Sequence, residues 1–265
     1  MPGLAPCACD AGSVADLPPA PGTGARARAR AELVREITDA ARAQLAEVGA
    51  AALSVRSVTR ALGMAPSAVY RYFPSRDALL TALITDAYVG LGDAVAAAEA
   101  RVPRADLLGR WLAVHRAVRT WALARPHEYA LIYGSPVPGY VAPEDTVVPA
   151  TRVALLLARV AVDAWLAGHR AAPGPAVPDA LRADGRALVA AALAPYPDAQ
   201  RPDVDAVDPR VALAVVDGWT ELFGCVGFEL FGHYHRVFEA RAAHLDAVAR
   251  RTAAAAGIPV GEAVS

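Results

Sequence analysis

Apolar positions recur at three- and four-residue spacing along nearly the whole chain, and no stretch sustains the every-second-residue alternation of a strand, so the pattern predicts an all-α fold. In the segment 32–48, Leu33, Ile37, Ala40, Ala41, Leu45 and Val48 share one stripe, which makes an amphipathic helix that Gly49 stops. Val55, Val58 and Leu62 form a shorter stripe, followed by Gly63 where a helix needs a left-handed residue to end. A third helix is predicted over 66–73. Pro66 suits the first helical position, and the residue before Pro74 is pushed out of the α region. Ser75 then caps a long helix reaching Ala100, with Leu79, Leu80, Leu83, Ala87 and Leu91 inward. Further helices are predicted near 105–124, 127–133, 150–170, 178–194, 208–232 and 238–256, and the breaker-rich segments 134–149 and 195–207 read as long loops.

The segment 53–80 has the layout of a helix-turn-helix. At about 100° per residue, Val69 and Phe73 point inward with Tyr72 beside them, Ser67 and Arg71 project to the far side, and Ala68 and Tyr70 lie on its flanks. A small, hydroxylic, aromatic and guanidinium surface suits entry into a duplex groove. Arg71 is the candidate base reader, because its planar fork can donate twice to guanine, and Tyr70 suits a phosphate. The bland alternative is a helical hairpin with a solvated outer face.

This stretch resembles the DNA-binding domain of the tetracycline-repressor (TetR) family over about 28–91. The shared features are Ala61-Leu62-Gly63 closing one helix, the short helix ending in Tyr70 to Phe73, and Arg76 opening the next. Many relatives carry Ser or Thr where this chain has Ala65, the expected N-cap of the recognition helix. The resemblance implies that Ser54 sits over a phosphate with Arg56 nearby. It also implies that the basic run holding Arg26, Arg28 and Arg30 lies along the backbone or in the minor groove. Tyr72 and Arg76 complete the set expected at DNA, with Arg76 on the phosphates. Late in the chain, Asp217 to Gly224 and Glu229 to His233 resemble the C-terminal domain called WHG in one branch of the family, although Phe223 replaces its histidine.

The net charge of −1 would argue against a nucleic-acid partner, but the distribution reverses that inference. Residues 22–90 hold nine arginines against six acids, giving +3 beside the motif. Lysine is absent, so every one of the 26 basic residues is arginine. The chain of 265 residues, 55% hydrophobic, can bury one or two cores, and no uncharged apolar run reaches the ~18 residues of a membrane span. The expected location is the cytoplasm. Cys7, Cys9 and Cys225 form no disulfide framework, and no catalytic, cofactor or metal signature is present. Glu229 and His233, one turn apart, read as a satisfied helical pair.

The expected organisation is a tail at 1–23, a three-helix head at 24–90, a helical body at 91–258 and a short tail at 259–265. A recognition helix of two turns touches few base pairs, so specificity requires a homodimer on a palindromic operator with successive major grooves about 34 Å apart. The resemblance places dimerisation on the last two helices and a cavity for a small apolar effector in the body. Trp111, His115, Tyr129, Trp165, Trp219 and Phe223 are the candidate lining residues. The rival readings are a small-molecule-binding or enzymatic helical protein with a vestigial head, and a repressor whose body only dimerises.

Overall fold

A computed structural model describes residues 23–174 and 176–261. Residues 1–22 of the expected N-terminal tail, with Cys7 and Cys9, and the last four residues lie outside them. The head consists of α1 (Thr23–Val48), α2 (Val55–Ala61) and α3 (Pro66–Tyr70), together with the first half of α4 (Arg76–Glu99). The body holds α5 (Leu107–Ala124), α6 (Pro126–Tyr133), α7 (Val147–Ala150), α8 (Arg152–Leu166), α9 (Asp179–Leu193), α10 (Pro209–Leu230) and α11 (Arg241–Ala255). No strand occurs among the described residues.

Two apolar cores organise these helices, and α4 belongs to both. Its Leu79, Leu80, Leu83 and Ile84 join Ile37, Leu45, Val58, Val69 and Phe73 in the head. Its Ala87, Leu91 and Val95 join Trp111, Leu157, Val215 and Leu222 in the body. The boundary expected at residue 90 therefore falls inside one uninterrupted helix. Leu131 of α6 is buried in the head core, and Val137 and Tyr140 pack against it. The segment 134–140, here called the strap, thus leaves the body to touch the head.

Two helices, α4 and α10, are long and apolar enough to cross a membrane by length and composition. In this fold their apolar faces fill the two cores. Close approach around α10 depends on Gly218, where a Cβ would lie 3.0 Å from the Trp111 ring and 3.2 Å from Thr252. At Gly224 the same test meets open space.

One buried polar cluster braces the body. Arg110 is 1% exposed and donates to Glu99 at 2.5 Å and to Asp163 at 2.7 Å. Asp163 also accepts from Arg104 and from the Tyr196 hydroxyl. Glu229 is satisfied by Arg119 at 2.6 Å, not by His233, which is exposed and packs against Phe228.

Several boundaries differ from expectation. α1 begins well before Glu32, so Arg26, Arg28 and Arg30 ride on a helix in place of an extended arm. The alanines between them favour helix. α3 closes at Tyr70, because the amides of Tyr72 and Phe73 both turn back to the Val69 carbonyl ahead of Pro74. The loop expected at 134–149 contains a turn at Glu144–Thr146 and then α7.

Candidate nucleic-acid interface and ligand cavity

The turn between α2 and α3 rests on Gly63, whose φ of +63° is the left-handed conformation that glycine tolerates. It brings α3 across α2, with Val69 fully buried and Phe73 nearly so. Ser67, Tyr70 and Arg71 are exposed, and Ala68 is half-buried. These four present the outward surface anticipated from helical angles. Ala65 holds the N-cap position of α3 without a side-chain cap bond. Ser54 occupies the N-cap of α2, but its side chain caps nothing, and its backbone N–H donates to Gln44 Oε1 at 2.9 Å.

The cations of the head divide into engaged and free. Arg76 is engaged within the head. Its Nε donates to the Leu53 carbonyl at 3.1 Å, and its Nη2 donates to those of Ala50 and Ala51 at 2.9 and 3.1 Å. Those carbonyls lie in the turn between α1 and α2, so Arg76 clamps the start of α4 to the entry of the helix-turn-helix. Arg42 likewise pairs with Asp39 and Asp86. Arg56, Arg60 and Arg71 are exposed and make no ion pair among the described residues. Arg60 was missing from the sequence-based set, although its spacing of four from Arg56 puts both on one face of α2.

Tyr72 is half-buried against the head core and acts as a platform. The Arg30 guanidinium lies 5.0 Å from its ring centroid and that of Arg71 lies 5.9 Å away. Both distances fall within cation–π range. The ring therefore links the N-terminal half of α1 to the residue that ends the recognition helix. Arg28 lies elsewhere around α1, exposed.

In the body, a cavity of about 670 Å³ opens between the strap, α4, α7, α8 and α10. Trp219 and Tyr133 line it, as do Tyr88 and Tyr140, which were not among the expected residues. Five expected residues lie outside the lining. Trp111 is fully buried, with its indole N–H donating to Thr252 Oγ1 at 3.3 Å. His115 is fully buried beneath it, with Nδ1 2.9 Å from the Trp111 carbonyl. A carbonyl can only accept, so Nδ1 carries the proton. Burial lowers the His115 pKa to about 4. Tyr129 is buried and donates to the Phe223 carbonyl at 2.9 Å. Trp165 lies beneath the Arg170 guanidinium. Phe223 backs the cavity through Tyr133, with ring centroids 4.1 Å apart. Tyr140 was missed because its place depends on the strap, and a loop path carries no helical period.

A second cleft of about 760 Å³ lies on the other side of the strap, between it and the end of α1. Leu131, Tyr133 and residues 134–137 border both spaces. Among the described residues, no group of three or more His, Cys, Asp or Glu side chains could hold a metal.

Comparison with known proteins agrees with this arrangement. Residues 37–83 match the model of bacterial regulatory proteins of the tetR family, and 111–252 match that of the tetracyclin repressor-like C-terminal domain. HTH-type transcriptional regulators of Mycobacterium bovis and Mycobacterium tuberculosis are 49% identical over 131 residues, which is 49% of this chain and 56% of each relative. The chain thus spans about half the length of the curated relatives it matches. The crystal structure of the protein SCO4313 shares 31% identity, covers 86% of this chain and 98% of its own, and has a TM-score of 0.64. A protein of unknown function from Rhodococcus sp. RHA1 shares the fold at 22% identity, with a TM-score of 0.59 and 82% and 92% of the two chains covered. With a family model matching more than half its length and a helix-turn-helix of the corresponding form at its N-terminal end, the chain belongs to the tetracycline-repressor family of bacterial regulatory proteins.

Proposed function

We propose that the protein is a DNA-binding transcriptional repressor that acts as a homodimer and leaves its operator when a small apolar molecule enters the body cavity. The observation that carries this reading is the exposed face of α2 and α3, where Arg56, Arg60, Tyr70 and Arg71 are all presented outward and none of the arginines is ion-paired among the described residues. Free guanidinium groups beside a short helix are what phosphate docking and base readout require. Arg71 reads a base, and Tyr70, Arg56 and Arg60 hold phosphates. Arg30 keeps Arg71 company at Tyr72 and stays close to the duplex.

The dimer forms through α10 and α11. Val216, Thr220, Gly224 and Phe228 are exposed at every fourth position of α10, beside exposed Ala243 and Ala247 of α11. Such a face suits close helix pairing with a second copy. Release follows from the strap. A ligand that fills the cavity presses on a wall that also contacts α1 and α4, and it shifts the dimer away from the head spacing that matches DNA.

Selection of bound fragments from random duplex DNA by the purified protein tests this. The expected product is a palindrome with half-sites about one helical turn apart. A monomeric protein that retains no duplex at low ionic strength would refute it.

A further inference from the structure

The cavity beneath the strap is more specific than its size alone requires. Among its described lining residues there is no Asp, Glu, Arg or His. A charged ligand would lose its water there without gaining a counter-ion. Most lining hydroxyls are already engaged. Tyr88 donates to the Ile132 carbonyl, Tyr140 pairs with Thr81, and Thr146 and Thr151 donate to the carbonyls of Pro143 and Val148. The Ser135 hydroxyl is exposed, and two buried polar atoms are left over. The Tyr133 hydroxyl and the Trp219 indole nitrogen are both buried and have no hydrogen-bond partner among the described residues. Buried donors without partners are uncommon and each calls for an explanation. Both side chains line the cavity and both pack on Phe223, at centroid distances of 4.1 and 5.8 Å. Burial raises the Tyr133 pKa above its ordinary value, which keeps the hydroxyl protonated.

We propose that this cavity receives an uncharged, largely apolar molecule that presents one carbonyl-type acceptor to the Tyr133 hydroxyl and the Trp219 indole N–H. The inference rests on the ligand-responsive reading above and names the chemistry of its ligand. The volume of about 670 Å³ lies within the range of small-molecule pockets. A site built to hydrogen-bond its ligand rejects an analogue that lacks the polar group, because the donors then stay buried and unpaired.

Three probes of one shape separate the outcomes: 2-acetonaphthone, the hydrocarbon 2-ethylnaphthalene and the anion 2-naphthoate. Equilibrium dialysis against the full chain should give a Kd for the ketone about tenfold below that of the hydrocarbon, with naphthoate weakest. Tyr133→Phe should erase most of the difference between ketone and hydrocarbon. In ¹⁵N spectra, the Trp219 indole resonance, assigned by Trp219→Phe, should shift downfield with the ketone and not with the hydrocarbon. Equal binding of ketone and hydrocarbon, or preference for naphthoate, would overturn the acceptor while leaving an apolar ligand site standing. No uptake of any probe, with DNA binding retained, would overturn the cavity as a ligand site and leave the DNA-binding reading intact.

Discussion

The Tyr140 hydroxyl lies 2.9 Å from Thr81 Oγ1, a polar bridge between the strap and α4. With the bond from Tyr88 to the Ile132 carbonyl, it ties the wall of the cavity to the helix that enters the head. A double-mutant cycle with Thr81→Ala and Tyr140→Phe should give a coupling of about 0.5 to 1.5 kcal/mol in denaturant unfolding. Both variants should still bind the operator. Coupling near zero would mean that the two hydroxyls do not meet in solution.

Arg71 and Arg76 are five residues apart and should fail in different ways. Arg71→Ala should leave the unfolding midpoint nearly unchanged, cost roughly 1 to 3 kcal/mol on the operator and relax preference at one base per half-site. Arg76→Ala removes three hydrogen bonds to backbone carbonyls. It should lower stability by about 1 to 3 kcal/mol and weaken binding to all sequences alike. Thermal unfolding beside operator titration separates them, and an unchanged melting temperature for Arg76→Ala would show that the clamp is idle.

Gly224→Arg should convert the dimer to monomer. A Cβ at Gly224 meets nothing within 4 Å in the isolated chain, and the residue is exposed, so the substitution is tolerated by the monomer and improves helix propensity by up to about 1 kcal/mol. Sedimentation equilibrium beside circular dichroism reads both effects. A fully dimeric Gly224→Arg protein would place the interface elsewhere.

His115 sets an acid limit. Its folded pKa of about 4 lies below the ordinary 6.5, so between those values the unfolded chain binds a proton that the folded one refuses. Stability should fall as pH drops from about 6.5 toward 4, by at most about 3 kcal/mol from this group, and the effect levels off below. His115→Met should lose less stability than the parent between pH 7 and pH 4.5 in paired urea titrations. Identical losses would show that the imidazole is not held neutral.

The helices of both cores could be read from apolar spacing because their energetics depend on the stripe each presents. Ile37, Val58, Val69 and Leu91 all lie where that spacing places them. The outward set of α3 was legible for the same reason. The clamp made by Arg76 could not be read because its partners are main-chain carbonyls from residues 50–53, and these carry no signal in side-chain pattern. Trp111 and His115 were placed at a cavity because aromatic residues at helical spacing look alike whether they face a neighbouring helix or a void. The cavity itself depends on the strap, whose course follows from tertiary packing of Val137 and Tyr140.

α4 is 24 residues long and continuous from the Ser75 cap to the Arg110–Glu99 tie, a beam of about 36 Å at 1.5 Å per residue. Pivoting such a beam by about 5° at its body end carries the other end through about 3 Å, close to the 3.4 Å rise of one nucleotide along a strand. In the proposed dimer, two such beams related by the two-fold axis would open the gap by twice that amount. The proposed disengagement would therefore require no melting of the helix, only a small change of angle. Spin labels on the two heads would register it as several ångströms, while the outline of the particle would scarcely alter.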